Sequence, residues 1–122
     1  MNNLRLWIEK LQNSSDIKIV EGIKDKAALE FLGISNIITL NKPLFQIAEY
    51  VSKKTTRCIL LVDLDRQGKI LYSKLKKDLQ SNGVTINDSY RNYLYKNTDL
   101  KNIEGLITYC QKDQAVLNLL FP

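Results

Sequence analysis

Three carboxylates in this chain stand where chemistry could be done. Glu21 lies in the run Val20-Glu21-Gly22-Ile23-Lys24-Asp25, and Asp63 and Asp65 lie in Leu61-Val62-Asp63-Leu64-Asp65-Arg66-Gln67-Gly68. In a strand-end loop, residues i and i+2 point to one side, so Asp63 and Asp65 can share a metal ion or flank two. Carboxylates converging on one edge repel each other unless a cation sits between them. Hard oxygen ligands with few nitrogens or thiols nearby favour Mg²⁺, which takes a few carboxylates plus water and substrate phosphate; Mn²⁺ can replace it. Gly68 would let the backbone approach closely and turn into the next helix, whose N-terminal N–H groups would face a phosphate. Gly22 plays a similar part after Glu21, and Asp25 is placed to cap a helix start or to support the site from behind. Singly, each feature has a plain structural reading: Asp-x-Asp is commonly a solvated turn, and Asp65 could simply cap the following helix. Their conjunction at two strand ends is what points to a site.

The elements that must position these residues can be read from periodicity. Leu4, Trp7, Ile8 and Leu11 fall at helical spacing, predicting an amphipathic helix over 3–12. A β-branched strand follows at 17–20. The next helix is expected over 24–32, with Ala27, Ala28, Leu29, Phe31 and Leu32 buried and Gly33 just past its end. A strand at 37–40 leads through Asn41-Lys42-Pro43 into a helix over 43–54. Residues 59–62 form an almost wholly apolar strand, as a strand covered on both faces should be. Leu71, Leu75 and Leu79 mark a helix over 69–81, stopped by Asn82-Gly83, and 84–87 is a fourth strand. Beyond Asp88 the pattern gives one or two closing helices, over 102–111 and 113–120. Strands alternating with helices imply an α/β fold, with about four mostly parallel strands and helices on both faces. In such folds ligands bind outside the carboxyl ends of the strands, which puts Glu21 and Asp63/Asp65 on one edge.

Composition narrows the classes. The 122 residues fit one domain, 1–122, with a core over about 15–90 and helical extensions at both ends. There is no histidine, which removes Ser-His-Asp and Cys-His catalysis. Cys58 and Cys110 alone cannot build a four-ligand zinc site, and Cys58 opens an apolar run as a core residue would. The apolar runs are too short to cross a membrane and residues 1–10 do not read as a secretory signal, so a cytoplasmic protein without membrane contact is expected. The net charge of +5 suits a phosphate-rich partner, a weak signal by itself.

The two runs around Glu21 and around Asp63-Leu64-Asp65 resemble the signature motifs of the Toprim domain. That domain is shared by type IA and type II topoisomerases, bacterial-type primases, OLD-family nucleases and the nuclease that matures 5S ribosomal RNA. The resemblance covers roughly residues 17–86, with the intervening strands and helices in the right order, and is greatest to small stand-alone Toprim proteins of archaea and some bacteria. It implies a compact Toprim, Rossmann-like fold. It also implies Glu21 as general acid/base and occasional metal ligand, and Asp63 and Asp65 as Mg²⁺ ligands.

Two functions remain open. One is a metal-dependent phosphodiesterase, nuclease-like, acting on RNA or DNA; the other is an accessory nucleic-acid-binding module in an RNA-processing, repair or replication assembly, with protein partners or a second copy. The intact acidic set favours the first, and the small size favours the second. Topoisomerase chemistry would need a tyrosine placed by another domain, and primase activity a zinc domain and a larger core. Lys24, Lys42, Arg66, Lys69 and Arg91 are candidate phosphate contacts, Arg66 and Lys42 foremost. Tyr90, Tyr93 and Tyr95 could stack on single-stranded bases or simply pack.

Overall fold

The computed structural model describes residues 3–122; Met1 and Asn2, counted in the expected domain and leader reading, lie outside them. The chain runs α1 (Leu4–Gln12), β1 (Ile17–Val20), α2 (Ile23–Phe31), β2 (Ile37–Thr39), α3 (Leu44–Lys54) and β3 (Arg57–Leu60). It continues through α4 (Arg66–Ser81), β4 (Thr85–Asn87), α5 (Ser89–Asn97), α6 (Leu106–Cys110) and α7 (Gln114–Leu120). All four strands are parallel, in the order β2-β1-β3-β4. The chain leaves β1 toward one edge, then returns to β3 on the other side of β1. Such a reversal opens a crevice between the carboxyl ends of the two central strands.

Period-two alternation divides the core into two layers. Ile17, Ile19, Cys58, Leu60 and Val62 face α3 and α4, meeting Ile47, Ala48, Val51, Leu75 and Leu79. Val20, Ile59 and Leu61 face the opposite layer, where α1, α2 and the closing helices supply Trp7, Leu29, Leu94, Leu106 and Val116. The α/β architecture with helices on both faces is therefore as the periodicity implied. No helix among the described residues is long and apolar enough to cross a membrane.

The differences from the sequence pattern have identifiable causes. The helix expected over 69–81 begins at Arg66, because the Asp65 side chain accepts the Gly68 N–H at 2.8 Å and so starts the helix three residues earlier. The expected strand 59–62 is Arg57–Leu60, although Leu61 N–H still donates to Ile19 O at 2.8 Å. Helix α5 was not anticipated: Arg91 and Leu94 are its only buried residues, too few to write a stripe. The expected helix 102–111 shortens to Leu106–Cys110, because the segment before it forms a loop bonded to Asp63 and Leu64. In α2, Ala27 and Phe31 are exposed rather than buried, Phe31 by 55%. Cys58 and Cys110 are both buried, and burial pushes each thiol up to about 11.

One buried charge escaped the pattern altogether. Lys18 in β1 is fully buried, and its Nζ donates to Ser14 O at 2.5 Å and Ser35 O at 2.9 Å. It ties together the turns at the amino ends of β1 and β2, opposite the carboxylate edge.

Trp7 joins the N-terminal helix to α5. It is wholly buried, its Nε1–H donates to Tyr90 O at 3.0 Å, and its ring meets that of Tyr90 edge-on. Trp7→Ala is expected to lower the unfolding free energy by about 3–5 kcal/mol in urea titrations. Trp7→Phe should lose less, since it keeps most of the volume and gives up the hydrogen bond.

Candidate active site at the switch point

Glu21 is the first residue after β1, and Asp63 follows β3 by three positions, so both sit at the switch-point crevice. Glu21 Oε1 accepts the backbone N–H of Asp63 at 3.1 Å, across 42 residues of sequence. The carbonyl of Glu21 accepts Leu40 N–H at 3.2 Å, which also fastens the end of β2. Asp63 Oδ1 accepts the N–H of Ile103 at 3.0 Å, and Leu64 N–H donates to Lys101 O at 2.7 Å. The loop before α6 is thereby laced onto the Asp63-Leu64-Asp65 segment. Asp25, buried in the first turn of α2, accepts the N–H of Gly22 at 3.1 Å. Asp65 is exposed and caps α4.

The two glycines are not equivalent. A Cβ at Gly68 would lie 2.1 Å from Asp63 O and 2.9 Å from Glu21 Oε1. The first turn of α4 therefore presses directly on both candidate residues, and only a hydrogen fits between. Gly68 was expected in the loop before the helix; it sits inside the first turn because Asp65 caps there. At Gly22 an added Cβ would meet nothing within 4 Å, and its φ of −142° is one any residue adopts. Gly22 does turn the chain into a helix, as the N-cap of α2, but no protein atom crowds it as Asp63 O crowds Gly68.

Arg91 is also corrected. It was expected to contact nucleic acid, but it is 8% exposed and turned inward. Its Nε donates to Val62 O at 3.1 Å and its Nη2 to Asp63 O at 3.3 Å. The guanidinium lies 4.2 Å from the ring centre of Tyr72, whose hydroxyl is hydrogen-bonded to Asp88. Arg91 thus holds the backbone of the Asp63 segment in place and spreads positive charge beneath it. Sequence reasoning missed this role, and also Tyr72, Asp88 and the Ile103 N–H.

Lys24, Lys42, Arg66 and Lys69 are exposed, as phosphate contacts must be. The three tyrosines separate: Tyr90 and Tyr93 pack against the core, whereas Tyr95 is 54% exposed, with Lys69 Nζ 5.5 Å from its ring centre.

The electrostatics follow from crowding in a half-dry crevice. Burial, with Asp25, Glu21 and Asp65 nearby, pushes the Asp63 carboxyl up to about 7, against the lowering effect of the Ile103 N–H. Glu21 is raised by burial first and then by the charges of Asp65 and Asp25, while the Asp63 N–H and Arg91 pull it down. Asp25 is raised as well, chiefly by burial.

Among the described residues, no three carboxylate, cysteine or histidine side chains close up into a ready metal cage. Mg²⁺ asks for less, one or two carboxylates completed by water and phosphate. The donors fit that demand in kind. Glu21 and Asp63 each give one oxygen to a backbone N–H, and neither has a fully buried oxygen left without a partner, so the second oxygen of each reaches solvent.

No family model matches the chain. A UPF0292 protein of Methanocaldococcus jannaschii is 35% identical over 112 residues, covering 86% of this chain and 88% of its own. The chain belongs to the UPF0292 family. A second UPF0292 protein, from Methanosarcina acetivorans, is 31% identical over 125 residues, covering 99% of this chain and 87% of its own. The solved structure of a protein from Aquifex aeolicus superposes with a TM-score of 0.80 at 34% identity, over 85% of this chain and 98% of that one.

Two outcomes are expected of this UPF0292 chain. Gly68→Ala must displace the Asp63 carbonyl or the start of α4, at a cost of about 1–3 kcal/mol or more in urea titrations. The second concerns pH. The folded-state value of Asp63, about 7, lies above its ordinary 3.8, so the folded chain binds that proton more tightly than the unfolded one. Its contribution to stability is complete below 3.8 and is lost as pH rises through about 7. With chelator present, the urea midpoint should fall over that window, and Asp63→Asn should flatten the fall.

Proposed function

We propose that the chain performs Mg²⁺-dependent phosphodiester chemistry on nucleic acid, as a nuclease-like protein with a Toprim-type site. The observation that carries this reading is the Glu21–Asp63 unit. Two residues distant in sequence meet at the carboxyl ends of the two central strands, the Glu21 carboxylate accepting the backbone N–H of Asp63, and each of their carboxylates keeps an oxygen open to solvent. Glu21 and Asp63, with Asp65 beside them, would hold the ion. When bound, Mg²⁺ would supply charge to a phosphoryl oxygen and acidity to water.

The chain's own residues account for the rest. Glu21, with its proton affinity raised by burial and by neighbouring carboxylates, is suited to pass a proton to a leaving oxygen or take one from water. Arg91 holds the Val62 and Asp63 carbonyls, so the Asp63 side chain keeps its place while charge on it changes. Lys24, Lys42, Arg66 and Lys69, exposed around the edge, would meet the phosphates on either side.

A second reading, an accessory binding module, draws on one observation: Asp65 spends a carboxylate oxygen on capping α4, and no three-ligand cage stands ready among the described residues. Labelled RNA and DNA, single-stranded and duplex, incubated with Mg²⁺ or Mn²⁺, decide between them. The nuclease reading expects cleavage that needs the metal and drops by at least about 10²-fold in Glu21→Gln and Asp63→Asn. Binding without cleavage under every condition would leave the accessory reading.

A further inference from the structure

A groove of about 620 Å³ runs along the open edge of β2, between that strand and the outer face of α3. One wall is the strand itself. Lys18 N–H donates to Asn36 O and Leu40 N–H to Glu21 O, so in a parallel ladder the backbone groups of Ile37 and Thr39 face outward, away from β1. The other wall carries Phe45, 56% exposed, and Tyr50, 49% exposed. Lys26, Lys42 and Lys53 border it. Its upper end adjoins the Glu21–Gly22 turn, through the hydrogen bond from Leu40. At its lower end, Ile38 and Tyr50 also wall a second cavity of about 500 Å³, which adds Lys54 and Arg57. Along the whole course these five cations meet two carboxylates, Glu49 and Asp16, and Asp16 is already paired with Arg57 at 3.1 Å.

We propose that this groove seats a single strand of nucleic acid and leads it to the Glu21–Asp63 edge. The proposal rests on the nucleic-acid reading above and names the form of the substrate. Lysines spaced along a track neutralise successive phosphates, and exposed aromatic rings offer stacking faces to unpaired bases. A duplex keeps its base faces stacked inside and has no use for Phe45 and Tyr50. A second copy paired through the same face would set this excess of cations against itself, which charge complementarity disfavours.

The test is fluorescence anisotropy with a labelled oligonucleotide of about 12 nucleotides, single-stranded and as a duplex, in chelator so that nothing is cut. Wild type should bind the single strand more tightly. Phe45→Ala and Lys42→Glu should each weaken it about five-fold or more, with Lys10→Glu, on α1, as the distant control. Removing Lys42 or Lys53 as alanine should lower the slope of log affinity against log salt by about 0.7 each. Phe45 and Lys42 are exposed, so unchanged urea midpoints will separate lost binding from lost folding. Equal binding by the groove variants, or a preference for duplex, overturns the groove while leaving metal-dependent cleavage free to stand. A wild type that binds no oligonucleotide in chelator overturns the groove, and the cleavage assay with Mg²⁺ or Mn²⁺ then decides the nucleic-acid reading by itself. A dimer that Phe45→Ala or Lys42→Glu turns into monomer, with oligonucleotide binding unchanged, would assign the groove to a second copy instead.

Discussion

Four carboxylates crowd the carboxyl ends of β1 and β3, and each accepts a hydrogen bond from a backbone N–H. Glu21 takes that of Asp63, Asp63 that of Ile103, Asp65 that of Gly68, and Asp25 that of Gly22. Like charges at such spacing would push the strand ends apart if left to water alone. The amides offset part of that repulsion and, being parts of the folded backbone, they fix each side chain at a set place. Glu21, Asp25 and Asp63 still hold their protons more tightly than ordinary carboxylates, through burial first and then through the neighbouring negative charges. A cation arriving at this edge would relieve a strain the fold already carries.

The same arrangement explains why remote segments converge here. The Ile103 N–H must be delivered by a loop, so residues near 101–103 are tied back over the Asp63 segment. The Gly68 N–H must be delivered by a helix start, so α4 presses so close that only glycine fits against Asp63 O. Arg91 supplies the one buried guanidinium, and it spends its hydrogen bonds on the carbonyls of Val62 and Asp63 instead of a carboxylate. A carboxylate bonded directly to Arg91 would have been drawn well below its ordinary range. By holding the backbone, Arg91 fixes position and leaves proton affinity high.

How much of this the sequence disclosed depends on whether side chains or backbone do the work. The strands ending at Val20 and near Val62 were legible from their apolar runs, and the carboxyl-end rule then placed Glu21 beside Asp63. The cap formed by Asp65 was legible as an alternative, and the structure adopts it. The role of Arg91 was not, because an arginine that grips carbonyls and one that grips phosphate look alike in a sequence. Helix α5 was hidden because it buries only two residues. The Ile103 N–H could not be foreseen at all, since every residue except proline carries one.

The open edge of β2 poses a last physical question. Short edge strands bordered by lysine are a familiar defence against strand-to-strand aggregation, and β2, three residues long with Lys42 and Lys53 nearby, satisfies that description. Defence alone would be served by charge and would gain nothing from aromatic surface. Phe45 and Tyr50 stand half exposed beside the same edge, where they make unwanted association more favourable. Neither is needed to fill the core, which Ile47, Ala48 and Val51 already close from the inner face of α3. Lysines and aromatics together match the occupant proposed for this groove, since an unpaired nucleic-acid strand would offer a phosphate to the one and a base to the other.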